Sequence, residues 1–190
     1  MTDDPTYPEV GATRAGALRG RESPCGHVPT GGGSPPLPSG YRHVRRTAHL
    51  GAGPDVFHRV AAGMAAWRIH RDAGLTVRTD AERPALGVRF VTGIGFGPLR
   101  LWAPCRIVWF VDEPDRYGFG FGTLAGHPEH GEEAFLAEWT GEDDVYFHVT
   151  AFSRPAAWYA RLGAAPARWL QDHVTDRYVA AAVALAGPPE

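Results

Sequence analysis

The chain has 190 residues, of which 44% are hydrophobic and 21% charged, and its formal net charge is -2. These values are typical of one soluble globular domain with a substantial core, and they leave little room for a second domain. The near-neutral charge excludes a general electrostatic attraction to nucleic acid or to anionic membranes. No run in the sequence reaches the roughly 18 apolar residues of a membrane span, so none is predicted.

The basic residues and the cysteines restrict the chemistry further. All 19 basic residues are arginine, and the sequence contains no lysine and no asparagine. A Schiff-base lysine, a pyridoxal phosphate anchor, a P-loop lysine and an N-glycosylation acceptor are therefore excluded. Residues 1–8 lack the apolar stretch of a secretory signal, so we expect a cytoplasmic protein in which Cys25 and Cys105 stay reduced.

Residues 1–40 are predicted to form an N-terminal arm. Residues 6–14 have a mixed composition that favours an ordered strand or arm. Residues 15–36 hold many Gly, Pro, Ser and Arg residues, which cannot bury enough apolar surface to fold, so this part is predicted to be a flexible insertion. One packed domain is then expected over residues 41–186.

The packed domain is expected to begin with a strand and a helix. The run YRHVRRTAHL from Tyr41 predicts an edge strand. The run GPDVFHRVAAGMAAWRIHRDAG predicts one helix, because Pro54 suits its first turn and Gly74 suits its end. Its apolar residues recur at helical spacing and define one buried face: Phe57, Val60, Met64 and Trp67.

Residues 75–152 are predicted to form an antiparallel meander, since short β-rich runs alternate there with turn-forming segments and no helix intervenes. The run PLRLWAPCRIVWFV is expected to be one long strand that breaks at Pro104. A bend over SRPAAWYARLG should lead into a long C-terminal helix. The residues expected on the buried face of this helix are Leu170, Val174, Tyr178, Ala181 and Leu185.

The predicted fold class is therefore α+β. A curved antiparallel sheet of about six to seven strands packs on a long C-terminal helix, with one N-terminal helix after the first strand. This order is that of helix-grip folds, as in START and Bet v 1-like proteins, which enclose an apolar cavity between sheet and helix. The alternative is an ordinary α+β sandwich without a cavity.

Several strings along the chain resemble a known protein family. They are YPEVGAT, WRIHRDAGL, APCRIVWFVDEP, GFGFGTLAGHPEHGEEAF and VTAFSRPAAW. On these strings the chain is identified as a member of DUF1990 (UPF0548), a family of bacterial and plant proteins without an established activity. The resemblance runs from about Thr6 to Ala186 and departs at residues 15–36. It implies a likeness to polyketide-cyclase and lipid-transport proteins of the helix-grip kind, which bears on the fold rather than on function.

The strand YGFGFGT alternates aromatic residues with glycine. Tyr117, Phe119, Phe121 and Thr123 share one face of the strand, and three glycines share the other. Glycine weakens a strand, so we expect something to approach the backbone closely on the glycine face, either a packed helix or a ligand.

The following run HPEHGEE holds two histidines and three glutamates, side chains that can bind metals or transfer protons. His127, His130 and a glutamate are metal-competent, but the helical H-E-x-x-H spacing is absent and turn formers dominate, so no metal and no cofactor are predicted. Glu132 and Glu133 should point to opposite faces of the sheet. One of them is expected inside, where a buried carboxylate needs a partner; the natural candidates are Arg106 and Arg154.

Three functional hypotheses follow. The first is the binding of a small apolar or amphipathic molecule between the sheet and the C-terminal helix; nucleic acid is not an expected partner, and the oligomeric state is left open. The second is an enzyme that uses His127 or Glu133 as general acid or base. The third is a structural or interaction protein without a pocket. The residues predicted to contact a ligand are Trp67, Arg106, Tyr117, Phe119, Phe121, Thr123, His127, Glu129, Glu133 and Arg154.

Overall fold

A computed structural model describes the protein at residues 4–17, 36–95, 97–156 and 164–187. The helices are α1 (Ala12–Ala17), α2 (Pro54–Ala65), α3 (Arg68–Asp72) and α4 (Ala164–Ala186). The strands are β1 (Arg42–Ala52), β2 (Thr76–Arg78), β3 (Arg89–Ile94), β4 (Leu101–Glu113), β5 (Arg116–Thr123), β6 (Glu129–Trp139) and β7 (Asp144–Pro155). Cys25, the bend before α4 and most of the predicted insertion lie outside the described residues.

The seven strands form one antiparallel sheet in the order β1-β7-β6-β5-β4-β3-β2. This arrangement, together with the long helix α4, confirms the predicted fold class. Helices α2, α3 and α4 pack on one face of the sheet, called the inner face here. Residues 4–17, the part of the predicted N-terminal arm that is called the arm from here on, pack on the opposite, outer face. None of the described helices combines the length and the apolar character that crossing a membrane requires.

The main core lies between the inner face and the helices, because alternate residues of each strand point to the same side. Phe119, Phe135 and Phe147 of neighbouring strands are fully buried there. The predicted buried face of the C-terminal helix is confirmed: Tyr178 and Leu185 are buried against this core, while Leu170 and Val174 are partly buried.

The prediction of a single helix over residues 53–74 is wrong. The helix stops at Ala65, and a second helix starts at Arg68, because Trp67 adopts a left-handed backbone conformation with φ of 62°. The change of direction turns the indole of Trp67 into the core, where its ring centroid lies 4.8 Å from that of Phe90. Helical periodicity could not reveal this break, since Trp67 also fits the apolar face of a continuous helix.

The expected break at Pro104 is also wrong, because β4 runs through it without interruption. Proline lacks only the N–H, and the carbonyl of Pro104 still accepts a hydrogen bond from the Leu124 N–H at 3.0 Å. The irregularity falls instead between Ile107 and Trp109, where the register with β5 shifts by one residue.

The glycine face of β5 is approached by side chains rather than by a packed helix. A Cβ atom at Gly120 would overlap the indole of Trp109, and one at Gly122 would overlap the phenol ring of Tyr7. The predicted close approach is therefore present, but its expected source was wrong. The glycines make room for Trp109 of the neighbouring strand β4 and for Tyr7 of the N-terminal arm.

Candidate functional site

A cavity of about 210 Å³ lies between the inner face of the sheet and the first half of α4. It is larger than the roughly 150 Å³ that accommodates benzene and smaller than the ~300 Å³ at which pockets for drug-sized molecules begin. Its volume therefore suits a molecule of about one or two rings. The wall is mainly apolar and includes Leu75, Ile94, Leu101, Ala103, Phe121, Ala151, Leu170 and Val174.

Glu133 places a carboxyl group on this apolar wall. It lies in β6, opposite Phe121 of β5 and Ala151 of β7, which puts its side chain on the inner face. None of the described residues forms a hydrogen bond or an ion pair with its carboxyl group. Burial, and then the negative charge of Glu129, raise the pKa of Glu133 to about 8. At neutral pH this group is mostly an uncharged acid that faces the cavity.

Glu129, at the start of β6, adds a second carboxyl to the same cavity. Burial raises its pKa, and the hydroxyl of Ser153 and the charge of Arg42 oppose the shift. The Gln171 amide of α4 donates to Ser153 Oγ at 2.9 Å and to Glu129 Oε2 at 3.4 Å. These bonds hold α4 against the ends of β6 and β7 and give the cavity a polar corner.

His127 lies in the turn before β6 and also lines the cavity. Its Nδ1 lies 2.9 Å from the backbone N–H of Glu129 and 3.0 Å from the Glu129 carbonyl oxygen, so whether this nitrogen accepts or donates depends on the tautomer. Burial lowers the pKa of His127 to about 4, despite a hydrogen bond with Glu129 that opposes the shift. The imidazole is therefore neutral at physiological pH.

His70 of α3 lies behind the cavity wall and is completely buried. Neither of its ring nitrogens has a hydrogen-bond partner among the described residues. Burial lowers the pKa of His70 to about 3, with a smaller effect from Arg71. Its ring is surrounded, at centroid distances of 5.3 to 6.3 Å, by Trp67, Phe90, Phe119, Phe121, Phe135 and Tyr178.

Glu132, the residue before Glu133, points to the outer face and is buried under the N-terminal arm. Its Oε2 accepts hydrogen bonds from the Tyr7 hydroxyl at 2.8 Å and from the Gly11 N–H at 2.6 Å. Its Oε1 accepts from the Thr13 N–H at 3.0 Å and from the Thr13 hydroxyl. The Trp109 indole donates to the same hydroxyl at 2.8 Å. Four donors from the arm therefore satisfy this carboxylate.

The structure brings together half of the residues predicted to contact a ligand. Those that line the cavity are Phe121, Thr123, His127, Glu129 and Glu133. Trp67, Tyr117 and Phe119 belong to the inner core without lining the cavity.

The two arginines that were predicted to contact a ligand lie on the outer face. Arg106 pairs across the sheet with Gly122, and the guanidinium of Arg154 lies 4.8 Å from the centre of the Tyr41 ring. The expected pairing of the inward glutamate with an arginine is therefore wrong. Glu133 lies on the other face of the sheet, and Glu132 takes its hydrogen bonds from the arm.

Sequence reasoning missed several polar groups of the cavity, namely Cys105, Ser153, Gln171, Thr175 and Tyr178. A signal for three of them was present: Gln171, Thr175 and Tyr178 follow one another at i, i+4 and i+7 and so share one face of a helix. Polar side chains within an otherwise apolar helical face indicate a polar surface opposite them. Here Gln171 meets such a surface at Ser153 and Glu129, whereas the Thr175 hydroxyl donates to the Gln171 carbonyl of its own helix.

The metal-competent side chains of the HPEHGEE run diverge. His127 lines the inner cavity, whereas His130 pairs across the sheet with Arg154 on the outer face, and its pKa is lowered by burial and by this arginine. Over residues 4–17, 36–95, 97–156 and 164–187, no three His, Cys, Asp or Glu side chains are grouped so that they could hold a metal ion.

The family model described as "Domain of unknown function (DUF1990)" matches residues 6–181. The chain belongs to this family. The match covers the N-terminal arm and both faces of β6, so the Glu132 and Glu133 environments lie within the DUF1990 region. Curated relatives of this DUF1990 protein include a UPF0548 protein of Deinococcus radiodurans, 35% identical over 65% of this chain and 68% of that protein. A UPF0548 protein of Dictyostelium discoideum is 28% identical over 65% and 62% of the two chains.

Solved structures with the same fold have little sequence identity to the DUF1990 chain. The Zhui aromatase/cyclase from a Streptomyces species superposes with a TM-score of 0.52 at 16% identity, over 77% of this chain and 91% of that one. Ginseng major latex-like protein 151 superposes with a TM-score of 0.51 at 15% identity, over 78% of this chain and 99% of that one. Norcoclaurine synthase from Thalictrum flavum superposes with a TM-score of 0.51 at 10% identity, over 79% of this chain and 90% of that one. These are Bet v 1-like helix-grip folds, and the likeness concerns the fold alone.

Proposed function

We propose that this DUF1990 protein binds a small, mainly apolar molecule in the cavity between the sheet and α4. The observation that carries the proposal is the carboxyl group of Glu133, which faces the cavity without a partner from the described residues. Glu133 is partly buried, and withdrawing a polar group from water without a hydrogen bond costs stability, up to about 1–3 kcal/mol when the burial is complete. A ligand that supplies the missing bond would recover this cost.

The walls of the cavity support the same function. Aliphatic and aromatic side chains provide most of its surface, and Glu133, Glu129 and His127 supply a few convergent polar groups, as in small-molecule sites generally. Norcoclaurine synthase, which shares the fold, has been solved in complex with dopamine and hydroxybenzaldehyde. Cys105 is a free, buried thiol, which supports a cytoplasmic location as part of the proposal.

The test is native mass spectrometry of the freshly purified protein, combined with ligand-detected NMR using naphthalene as a probe of known structure. Ala103 lines the cavity, so Ala103→Phe should fill it and abolish both a co-purified adduct and naphthalene binding. Ala184, on the exposed side of α4, provides the matched control Ala184→Phe, which should behave as the wild type. A wild-type protein that carries no adduct and does not bind naphthalene would refute the proposal.

A second function, acid–base catalysis, is favoured by one specific observation. Glu133 and His127 line the same cavity with pKa values displaced in opposite directions, to about 8 and about 4. At neutral pH the cavity therefore holds both an uncharged acid and a neutral imidazole, which are the two groups that acid–base chemistry needs. Once a ligand is known, Glu133→Gln and His127→Ala would each bind it but lose turnover. Wild-type protein that returns the bound molecule unchanged would argue for binding alone.

A further inference from the structure

The cavity carries an unbalanced set of charges. Two carboxyl groups, those of Glu133 and Glu129, face it, and none of the described residues that line it is an arginine. Arg42 influences Glu129, but its guanidinium is held by the Asp172 carboxylate of α4 at 2.7 Å. The lining histidine, His127, is neutral. Any net charge that the described lining acquires is therefore negative.

The shape and chemistry of the wall favour a positive charge on the ligand. Two aromatic side chains, Phe121 and Tyr178, lie in the lining near Glu133. Aromatic rings attract organic cations through their electron-rich faces, and a carboxylate forms its strongest hydrogen bonds with cationic donors. An anionic ligand would meet two carboxyl groups without a compensating cation.

We infer that the ligand is a small organic cation, a protonated amine on an apolar or aromatic body, whose ammonium group pairs with Glu133. This inference rests on the proposed function and adds the chemical class of the ligand. Glu129 and the rings of Phe121 and Tyr178 surround the same position. The apolar body of the ligand would fill the space between Ala103, Leu170 and Val174.

The inference predicts that amine binding releases a proton, because the ammonium group pairs with the ionised form of Glu133. The titratable groups around that carboxyl are Cys105 of β4, Glu129 of β6, His127 of the preceding turn and Tyr178 of α4, with His70 of α3 behind Phe121. Burial raises the pKa of Cys105 and Tyr178, and His127 and His70 titrate well below neutral pH. Burial also raises the pKa of Glu129, but Ser153 and Arg42 oppose that shift, so Glu133, with a pKa of about 8, is the group expected to lose a proton between pH 6 and pH 9 when an amine binds.

The experiment compares three probes that share a phenylethyl body and differ in the polar group, 2-phenylethylamine, 2-phenylethanol and 3-phenylpropionate, measured by isothermal titration calorimetry at pH 8. We expect the amine to bind about tenfold more tightly than the alcohol, as one charge-assisted bond allows, and the carboxylate not to bind. The amine affinity should rise by about tenfold from pH 6 to pH 7, with release of about one proton, and by about fivefold from pH 7 to pH 8, while the alcohol affinity stays constant.

Two variants assign the effect to Glu133. Glu133→Gln should bind amine and alcohol equally, whereas Glu142→Gln, at an exposed glutamate, should keep the wild-type preference. If the alcohol or the carboxylate binds wild type as tightly as the amine, or if the amine affinity is independent of pH, the inference is wrong and the proposed function stands. If none of the three probes binds although naphthalene does, the inference is wrong and the proposed function stands; if naphthalene also fails to bind and no adduct co-purifies, the proposed function itself fails.

Discussion

Glu132 and Glu133 are neighbours in one strand, yet their environments are opposite. Glu132 faces outward beneath the N-terminal arm, where four donors from Tyr7, Gly11 and Thr13 surround its two oxygens. Glu133 faces inward, and no described residue bonds its carboxyl group. A buried acid with a full set of donors holds structure together, whereas a partly buried acid that faces a cavity without them is kept at a cost in stability.

The contrast extends to the rest of the two faces. On the outer face, the indole of Trp109 also completes the arm network through Thr13. On the inner face, His70 is fully buried with both ring nitrogens unpartnered among the described residues. The polar groups of the arm network therefore stabilise the outer face, whereas Glu133 and His70 on the inner side lack partners among the described residues. Four substitutions test this difference.

The largest effect is expected for Glu132→Ala. It leaves the Tyr7 hydroxyl and the Gly11 and Thr13 N–H groups without their acceptor, and breaking a buried charged network costs about 3–5 kcal/mol. We expect urea unfolding to show a loss of about 4 kcal/mol in the free energy of unfolding. The exposed Glu142→Ala should change it by less than about 0.5 kcal/mol. A loss from Glu132→Ala as small as that of the control would contradict the role assigned to the arm.

The second effect appears in acid for His70→Leu. The pKa of His70 is about 3 in the folded protein and about 6.5 when unfolded, so its contribution is fully present above pH 6.5 and is lost as the pH falls towards 3. Between pH 6.5 and pH 4 the free energy of unfolding of wild type should therefore fall by about 3 kcal/mol more than that of the leucine variant. Thermal unfolding from pH 7.5 to pH 4 measures the difference, with the exposed His58→Leu as control. If the stability of wild type and that of His70→Leu fall equally as the pH is lowered to 4, His70 is not buried as described.

The third effect appears in base for Glu133→Gln. The folded pKa of about 8 is raised above the ordinary value of 4.5, so the contribution of Glu133 is present below pH 4.5 and is lost as the pH rises through 8. Because the carboxyl faces a cavity that water can enter, we expect the glutamine variant to gain about 2 kcal/mol at pH 8, less than the full shift implies. Urea unfolding at pH 5 and pH 8 gives the two values. A variant that is less stable than wild type at pH 8 would show that Glu133 has a structural partner.

The smallest effect is expected for Tyr7→Phe, which removes one of the four donors to Glu132 and leaves the ring in place against Gly122. The expected loss is about 1 kcal/mol, as for one buried hydrogen bond. Urea unfolding of this variant alongside Glu132→Ala measures how the network divides between its donors. A loss equal to that of Glu132→Ala would mean that the Tyr7 hydroxyl alone anchors the arm.

Much of the fold could be predicted because its signals are local. The alternating pattern of β5 and the turn-rich segments between the strands gave the antiparallel sheet, and helical spacing from Leu170 to Leu185 gave the buried face of α4. The break at Trp67 and the continuity of β4 through Pro104 could not be predicted. Both depend on tertiary contacts, those of Trp67 with Phe90 and those of the Pro104 carbonyl with Leu124.

The site was predictable only in part, because pattern fixes the face of a strand but not what covers that face. Period-two alternation placed Glu132 and Glu133 on opposite faces. It could not show that residues 7–13 would return across some 120 positions of sequence to bind Glu132. Without that contact the arginines looked like the natural partners, and the unpartnered state of Glu133 stayed hidden.

The closure of the arm has a consequence for folding kinetics. Its hydrogen bonds to Glu132 join residues 119 to 125 positions apart, and such distant contacts form only after the intervening chain is organised. The outer-face network would then be absent from the folding transition state. We therefore expect the arm to determine how slowly the protein unfolds, while leaving the rate of refolding almost unchanged.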